Sequence, residues 1–514
     1  MKLLNGCVNM KQVITLINPP QLTTKYQLVE GIVPPLGLLY LSSVLKQNGF
    51  NVELIDALGE NPKNHYRYKK HFYRGINIEN ILNRVDKDSE LIGISCMFSI
   101  NHFLVMELCK LIKKRFPTKS IILGGSHITA IPKYILKSKY VDFICLGEGE
   151  TTVLKLCQSL SKNNWQKDMG LSKIKGLGFK NDDSIFINHE IELLRNIDDL
   201  PYPDWDSIPI DNYFEAKQSH GSLTYNKWML MLSSRGCPHQ CTFCNTPYIW
   251  KRKWRPRNPI KVVDEIIYLR NKYGIKEVHF EDENMSTDLK RLEKFCDELI
   301  ERKVGILWQA ANGIRPHKLN RRILSKMRES GCTNIILAPE SGSQKVLDEI
   351  INKSMDLDEI IDVFRYSIDV NLKTMAYFIM GLPGETKKDL RKTIFFLMKL
   401  ARIGVHECSI ALFVPLPGSK LFYELRDKNK INLNNNFFES LISMTDLGHS
   451  KSWSDNIKDK ELRRYRMVGY MSFHFTKLLF HPVNTFMSVM NILKGKQELK
   501  TERMFINQLR NIIP

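Results

Sequence analysis

The stretch Ser233-Ser234-Arg235-Gly236-Cys237-Pro238-His239-Gln240-Cys241-Thr242-Phe243-Cys244-Asn245-Thr246-Pro247 places three cysteines in one short loop with the spacing C-x3-C-x2-C. A structural zinc site takes four protein ligands, often from two C-x2-C pairs, and the sequence has no second such pair. Iron–sulfur clusters are normally held by four cysteines. Three protein thiolates would leave one iron with an open coordination position, which is what a catalytic metal keeps for its substrate.

The segment before this loop, Trp228 to Leu232, has the apolar character of a buried strand. Barrel enzymes place their sites at the carboxyl ends of strands, so the position favours a catalytic cluster over a structural zinc. The motif resembles that of the radical S-adenosylmethionine (SAM) superfamily. The resemblance implies that Cys237, Cys241 and Cys244 ligate a [4Fe-4S] cluster whose open iron is chelated by SAM, and that one electron cleaves SAM to a 5′-deoxyadenosyl radical. It also places Phe243 near the adenine.

Composition limits the class of protein. A chain of 514 residues predicts two or three domains, and its 43% hydrophobic and 25% charged content is typical of globular proteins. The net charge of +20 comes from lysines spread along the chain, which favours a solvated basic surface over a nucleic-acid partner. We expect no transmembrane helix and no signal peptide. The other cysteines read as buried free thiols of a reducing, cytoplasmic compartment; they are Cys7, Cys96, Cys109, Cys145, Cys157, Cys296, Cys332 and Cys408.

Residues 1–165 alternate apolar strands with helical segments, which predicts an α/β domain with a doubly wound, Rossmann-like parallel sheet. Ligands bind such sheets beyond the carboxyl ends of the strands. The predicted ends carry polar or glycine residues, including Ser95, Gly124, Gly125 and His127. No G-x-G-x-x-G follows the first strand, so periodicity alone predicts a nucleotide-like binding domain whose ligand stays open.

The same segments resemble, in order and spacing, the cobalamin-binding domain that precedes many radical SAM cores. The matching stretches are Asn18-Pro19-Pro20, Pro34 to Leu41, Gly93-Ile94-Ser95, Leu123 to His127 and Leu146 to Thr151. The resemblance implies that Ser95, Gly124, Gly125 and His127 border a cobalamin. No histidine lies in the D-x-H-x-x-G motif of corrinoid methyl carriers. His127 therefore has two interpretations, an approach to the corrin or a structural role in its loop, and is not assigned as a cobalt ligand.

Three further regions follow. Residues 166–226 predict a small hairpin and a proline-rich linker. Residues 227–425 contain six strand–helix units, which suits the partial (β/α)6 barrel of the radical SAM core. Residues 426–514 predict a helical C-terminal region. Its basic and aromatic part, 460–514, leads to two hypotheses, peripheral contact with a membrane surface or a helical cap over the mouth of the barrel.

Polar or glycine-rich turns follow several predicted barrel strands and should meet at one rim. By resemblance, Glu340 and Ser341 contact the ribose and methionine parts of SAM, Gly381 and Gly384 form the turn after the fifth strand, and Asp282 lies in the acidic turn after the second. Asp282 has the alternative of a solvated turn, and the glycines that of turn geometry alone. Arg315 is a candidate partner of the SAM carboxylate or a member of a structural ion pair. Trp254 to Pro259 is either a shield for the cluster or an ordinary basic loop.

The resemblance implies a cobalamin-dependent radical SAM enzyme that methylates an unactivated carbon of a small-molecule or lipid substrate. Its cofactors are the [4Fe-4S] cluster, SAM and cobalamin, and its electron donor is a reductase, flavodoxin or ferredoxin. A radical cyclisation like that of the anaerobic porphyrin ring cyclases is the alternative within the enzyme class. A non-catalytic corrinoid-binding protein is the alternative outside it.

Overall fold

The structure, a computed structural model, describes residues 13–24, 31–167, 169–181, 184–503 and 505–506. Cys7 and the start of the chain, on which the signal-peptide prediction depends, lie outside these residues. The described chain divides into two compact units. One reaches Ala216, and the other comprises residues 31–33 and the described residues from Lys217 onward. The predicted hairpin therefore belongs to the first unit, together with most of the predicted linker.

The first unit is built from short strands and amphipathic helices. Its strands are β1 Val13–Asn18, β2 Gln21–Thr23, β3 Asn51–Asp56, β4 His65–Tyr68, β5 His71–Arg74, β6 Ser89–Ser95, β7 Ser120–Gly124, β8 Phe143–Cys145, β9 Leu177–Asn181 and β10 Ser184–Ile187. Its helices are α1 Leu36–Gln47, α2 Ala57–Glu60, α3 Ile78–Arg84, α4 His102–Arg115, α5 Ser126–Ala130, α6 Pro132–Leu136, α7 Gly149–Lys162 and α8 Ile210–Ala216.

The main sheet of this unit has the order β10-β9-β8-β7-β6-β1-β3. The strands from β8 to β3 are parallel, and the chain winds in both directions from β1. The predicted doubly wound sheet is thus confirmed. The hairpin β9–β10 extends it antiparallel beside β8, with Phe143 opposite Phe179. The sequence did not indicate the separate sheet β2-β5-β4, because the polar strand β4 has no apolar alternation.

The second unit has eight strands among its described residues. They are β11 Trp228–Met231, β12 Ser234–Arg235, β13 Arg255–Pro256, β14 Glu277–Phe280, β15 Leu307–Ala310, β16 Asn334–Glu340, β17 Lys373–Met380 and β18 Glu407–Leu412. Its helices are α9 Thr246–Ile249, α10 Pro259–Tyr273, α11 Leu289–Glu301, α12 Arg321–Glu329, α13 Leu357–Asp369, α14 Lys387–Arg402, α15 Lys420–Asp427, α16 Asn435–Ser440, α17 Asp459–Phe480 and α18 Pro482–Leu493, with a π-helical segment Val346–Ile351.

Six of these strands form the predicted partial barrel. They pair in parallel as β11-β14-β15 and β16-β17-β18. Single bridges from Trp308 to Cys332 and from Ile314 to Leu337 connect the two halves. The six strand–helix units predicted from the sequence are thus confirmed. Because all six strands run the same way, their carboxyl ends meet at one rim, which forms the mouth of the barrel.

The C-terminal region follows the edge and the floor of the barrel. The Tyr470 hydroxyl of α17 accepts a hydrogen bond from the backbone N–H of Ile410 at 2.8 Å, so the helix covers the open edge of β18. Farther along, the backbone N–H of Thr501 donates to Glu407, the first residue of β18. The prediction of a cap over the mouth is wrong for these last residues, which lie at the opposite end. No helix within the described residues is long and apolar enough to cross a bilayer.

Candidate functional site

The cysteine loop begins directly after β11 and is fixed by an acid from the neighbouring strand. Asp282, two residues after β14, accepts hydrogen bonds from the backbone N–H of Ser233 at 2.7 Å and from the Ser233 hydroxyl at 2.6 Å. The Ser234 hydroxyl donates to the same carboxylate. Burial raises the pKa of Asp282, whereas these hydrogen bonds lower it. The predicted acidic turn therefore lies under the loop, and both oxygens of Asp282 position the loop.

A glycine with a left-handed backbone precedes the first cysteine. Gly236 has φ +85°, and a Cβ there would lie 2.1 Å from the carbonyl oxygen of Lys253. Its N–H donates to Glu283 at 2.9 Å. A side chain at this position would push the loop off its support, because glycine alone tolerates both the φ value and the close contact.

The arginine-rich segment after the loop forms a ribbon with it. β12 and β13 pair antiparallel, with Arg235 opposite Arg255. Arg257 makes a buried ion pair with Glu265 at 2.6 Å and donates to the carbonyl of Leu232 at 3.0 Å. The segment is therefore a structural clamp on the base of the loop, which neither sequence interpretation had anticipated.

A threonine inside the motif attaches the loop to the far half of the barrel. The Thr242 hydroxyl donates to the carbonyl of Ile350 at 2.6 Å, and its N–H donates to the carbonyl of Ile351 at 2.9 Å. Both carbonyls belong to the π-helical segment, a geometry that often marks functional sites. Phe243 follows this anchor and is half-buried. Thr242 is not among the predicted site residues, although its place between two cysteines was a usable signal.

The three thiols are half-buried, with Cys244 the most enclosed. Burial raises the pKa of all three, that of Cys244 to about 11. The thiols would therefore be protonated unless a metal displaced the proton. Neighbouring cations offset part of this rise in pKa. Arg315 lowers the pKa of Cys237, and Lys353 and Arg315 lower that of Cys241.

The chemistry of the donor set is compatible with an iron–sulfur cluster. Among the described residues, no group of three or more cysteine, histidine or carboxylate side chains is arranged to hold one metal ion. In a tetrahedral zinc site all sulfurs lie within 2.3 Å of one atom, whereas in a four-iron cluster each thiolate binds its own iron. The donor set, three thiolates with flanking cations, suits the cluster that the motif predicts.

A basic cavity opens beside the loop. Its volume is about 180 Å³, and its lining is Pro238, His239, Gln240, Arg252, Arg315, Asn352, Lys353 and Ser354. Burial and the neighbouring cations lower the pKa of His239 to about 4, so this histidine is neutral at physiological pH. The positive charge of the lining comes from arginine and lysine, and it favours anionic groups near the cysteines.

Glu340, predicted to contact SAM, ends β16 in a strained conformation. Its φ is +65°, a left-handed value that costs energy for a residue other than glycine and is concentrated at functional sites. Its carboxylate makes a buried ion pair with Lys353 Nζ at 2.6 Å, and the same Nζ donates to the carbonyl of Ala338 at 2.6 Å. Lys353 therefore joins Glu340 to the basic cavity, a connection that the sequence did not reveal.

The other predicted SAM contacts form two supported turns. The Ser341 hydroxyl is fully buried and lies 3.1 Å from the Thr393 hydroxyl of α14. Gly381 and Gly384 have φ values of +89° and +84°. The Glu385 carboxylate accepts a hydrogen bond from the N–H of Gly381 at 2.6 Å and so joins the two ends of this turn. Glycine is thus required by the backbone at both positions, as the turn interpretation proposed.

In the first unit, the predicted cobalamin contacts lie together at the carboxyl ends of β6 and β7. Ser95 pairs with Gly124 in the sheet. Gly125 has φ +112°, and a Cβ there would lie 2.7 Å from the carbonyl oxygen of Cys96. Just beyond β6, Met97 and Phe98 have 52% and 59% of their surface exposed. This edge therefore offers a backbone platform and an apolar surface, which fit a large, flat ligand such as a corrin.

His127 does not lie free at this edge. It is buried, its Nδ1 lies 2.9 Å from the Ser99 hydroxyl, and its Nε2 lies 2.9 Å from Nδ1 of His102. Burial holds the pKa of His127 well below its usual range, and that of His102 falls to about 4. Both ring nitrogens are engaged within the domain, which favours the structural role over an approach to cobalt.

Family models match part of each unit. The model of the Radical SAM superfamily matches residues 231–397, and that of the B12 binding domain matches residues 27–156. An uncharacterized methyltransferase, PH0819, of Pyrococcus horikoshii is 26% identical over 90% of this chain and 92% of its own length. The anaerobic magnesium-protoporphyrin IX monomethyl ester cyclase of Cereibacter sphaeroides is 26% identical over 88% of this chain and 69% of its own.

The fold also resembles that of a solved enzyme. The structure of OxsB, described as a cobalamin-dependent S-adenosylmethionine radical enzyme with aqua-cobalamin bound, superposes with a TM-score of 0.68 at 18% identity. The match covers 97% of this chain and 71% of that one. At this identity the likeness concerns the fold, a sheet domain followed by a partial barrel.

Proposed function

We propose that this chain is a radical SAM enzyme with a B12 binding domain and that it transfers a methyl group to an unactivated carbon of its substrate. The observation that carries the proposal is the presence of both domains in one chain, matched to a relative named a methyltransferase over nearly its whole length. Bound cobalamin supplies the methyl group, and the reduced cluster supplies the electron that cleaves SAM.

The residues of this chain divide into ligands and supports. Cys237, Cys241 and Cys244 bind the cluster. Phe243, Glu340 and the Gly381–Gly384 turn border SAM. Asp282 and Ser341 act indirectly. Their polar atoms are hydrogen-bonded to the segments that carry the cluster ligands and Glu340. Ser95, Gly124 and Gly125 border cobalamin, and His127 stabilises the loop beside them.

The test needs no knowledge of the substrate. Anaerobic protein, reconstituted with iron, sulfide and cobalamin, is reduced and given SAM with a trideuterated methyl group. Mass spectrometry then follows 5′-deoxyadenosine and the methyl group on cobalamin. We expect both products. Formation of 5′-deoxyadenosine without label on cobalamin would contradict methyl transfer and favour the cyclase alternative. Absence of 5′-deoxyadenosine would favour a non-catalytic corrinoid protein.

A reductant must reach the cluster. The lining of the cavity beside the cysteines includes Arg252, Arg315 and Lys353, and the chain carries a net charge of +20. Such a surface favours an acidic donor through electrostatic steering. We therefore propose flavodoxin or ferredoxin as the donor, with the prediction that its rate of electron transfer falls as ionic strength rises.

We also propose peripheral contact with an anionic membrane surface. No residue of helix α18 is buried. Together with the end of α17 it presents a run of exposed apolar side chains, which we call the apolar helix surface: Met471, Phe475, Leu478, Leu479, Phe480, Val483, Phe486, Met487, Val489 and Leu493. Arg402 lies 5.1 Å from the Phe480 ring, and Lys494 and Lys496 follow α18 exposed. Apolar groups flanked by cations suit the interface of an anionic bilayer.

Flotation with vesicles of phosphatidylglycerol and phosphatidylcholine tests this contact. The full chain should float with the vesicles, and Leu479→Glu combined with Phe486→Glu should stay at the bottom. Deletion of the whole region is unsuitable, because Leu462 and Phe473 of α17 are buried in the barrel unit. Phe395→Glu, which removes an exposed phenylalanine of α14, is the matched control. Equal flotation of the double variant and of Phe395→Glu would contradict the membrane proposal. So would a full chain that does not float and forms a dimer as its concentration rises.

A further inference from the structure

The lower part of the barrel lumen contains a buried network of polar side chains. Gln309 Nε2 donates to Glu277 at 2.9 Å, and His279 Nε2 lies 3.0 Å from the same carboxylate. Asn334 donates to the Gln309 carbonyl oxygen at 3.1 Å. These side chains are buried, and their mutual hydrogen bonds explain why polar residues are tolerated there.

The C-terminal segment inserts into this floor. Glu407 accepts from the backbone N–H of Lys500 at 3.2 Å and from the backbone N–H and hydroxyl of Thr501 at 2.9 and 3.0 Å. Arg503 is buried and donates to the carbonyl of Gly221 at 2.7 Å. The segment is therefore fixed at three points, and the direction of its side chains is determined.

Lys500 places a buried amine in this floor. Its side chain is 4% exposed, and its Nζ donates to the Tyr377 hydroxyl. Among the described residues, no carboxylate lies within ion-pair distance of Nζ. An ammonium carries three N–H donors, so two remain for another acceptor. Burial of an ammonium group whose donors are not all satisfied costs free energy.

The electrostatic surroundings agree with this geometry. Burial, reinforced by Arg503, lowers the pKa of Lys500 to about 7, although Glu407 and Glu281 act in the opposite direction. Glu281 is engaged by His220, whose Nδ1 lies 3.0 Å away. The amine is therefore close to half-protonated at neutral pH, and a bound anion would favour its charged form.

The side chains of β17 and β18 that face the lumen near Lys500 are only partly buried. Along β17, Ala376, Phe378 and Met380 are buried, and Phe378 packs against Phe396 of α14. Tyr377 and Ile379 point the other way and are half-buried. Their partners in β18 on this side, Ser409 and Ala411, are half-buried as well. From Tyr377 to the end of β17 is three residues, or about 10 Å at ~3.3 Å per residue.

We propose that Lys500, with Tyr377, binds a carboxylate or phosphate group of the substrate at the floor of the lumen. The group would satisfy the two remaining donors of Nζ. A substrate that extends about 10 Å from this group would present a carbon at the rim, where the cysteine loop lies. The inference rests on the proposed function, since it names the substrate class of that reaction. Lys500 is a positioning residue, because it acts on the far end of the substrate.

Acylation by methyl acetyl phosphate tests the proposal without radical chemistry. This small anionic reagent acetylates neutral amines, and peptide mass spectrometry reports the rate at each lysine. Lys477 is the matched control, a buried lysine of α17 that donates to the carbonyl of His406 at 2.6 Å outside the lumen. Lys500 should react about tenfold faster than Lys477, and inorganic phosphate at ten times its Kd should slow Lys500 alone by about tenfold.

Two variants complete the test. Tyr377→Phe should keep Lys500 reactive and weaken the protection by phosphate about tenfold. Lys500→Met should keep the iron content and the substrate-free formation of 5′-deoxyadenosine, which separates this proposal from the proposed function. Equal labelling of Lys500 and Lys477, or labelling that phosphate does not slow, would overturn the anion site even if the enzyme cleaves SAM. Loss of iron in Lys500→Met would show that the residue supports the fold instead.

Discussion

Asp282 holds Ser233 at two atoms, with the backbone N–H at 2.7 Å and the hydroxyl at 2.6 Å. The two residues follow neighbouring strands, so this contact joins the carboxyl ends of β11 and β14 just before the first cysteine. The geometry of the cysteine loop therefore depends on a carboxylate that need not touch any cofactor.

Replacement of Asp282 by asparagine should loosen the loop. The amide group of asparagine offers a donor where Ser233 and Ser234 also donate, so a buried hydrogen bond is lost at a cost of about 1–3 kcal/mol in the free energy of unfolding. We expect substoichiometric iron after reconstitution, measured by iron and sulfide analysis. Asp264→Asn, which breaks an exposed ion pair with Arg302 at 2.7 Å, is the control and should retain iron. Full iron in Asp282→Asn would show that the contact is dispensable.

Lys353→Met should destabilise the barrel more than the double variant Lys353→Met/Glu340→Gln. Removal of one partner leaves the Glu340 carboxylate buried and unpaired, which costs about 3–5 kcal/mol. The second substitution removes that charge and should restore a large part of the loss. Chemical denaturation of the two variants and of the parent measures the difference. Equal stability of the single and double variants would mean that Lys353 and Glu340 do not affect each other's contribution to stability.

The turn after β17 should make stability depend on pH. Burial raises the pKa of Glu385 to about 8, and its unfolded value is near 4.5. The folded state therefore binds the extra proton between these values, and stability falls as pH rises from about 5 to 8. Glu385→Gln lacks this titration, so its advantage over the parent should grow with pH to on the order of 3 kcal/mol. If the difference in unfolding free energy between Glu385→Gln and the parent is the same at pH 5 and at pH 8, the raised pKa of Glu385 is ruled out.

His127→Gln should leave the environment of cobalt unchanged. Both ring nitrogens of His127 are engaged by Ser99 and His102, so the histidine should not coordinate cobalt. The paramagnetic resonance spectrum of bound cob(II)alamin, including any nitrogen superhyperfine splitting, should therefore be the same in the parent and in the variant. Splitting that is present in the parent and disappears on substitution would assign His127 as an axial ligand.

The sequence predicted the parts of the fold whose signals are local. The apolar strands and the cysteine spacing gave the two α/β units, and the glycines at 381 and 384 marked a turn that the backbone requires. It did not reveal Lys353, because lysine at a distance of 13 residues from Glu340 gives no local pattern. The clamp made by Arg257 and Glu265 was hidden for the same reason.

The C-terminal region shows a different limit. Its basic and aromatic composition was visible, but composition does not distinguish the residues that pack from those that face outward. Lys477 and Lys500 are buried while Phe475 and Phe486 are exposed, the reverse of the usual preference. Such inversions depend on the partners that the fold supplies, the carbonyl of His406 for Lys477 and the Tyr377 hydroxyl for Lys500.

The central claim is that three cysteines hold a cluster with one iron open to SAM. Paramagnetic resonance of the anaerobically reconstituted, reduced protein tests it most directly, with and without SAM. We predict a reduced iron–sulfur signal whose g values change on addition of SAM. This signal should be absent from the variants Cys237→Ala, Cys241→Ala and Cys244→Ala, and it should be retained in Cys408→Ala. A signal that SAM does not alter, or an iron-free protein with intact cysteines, would contradict the account.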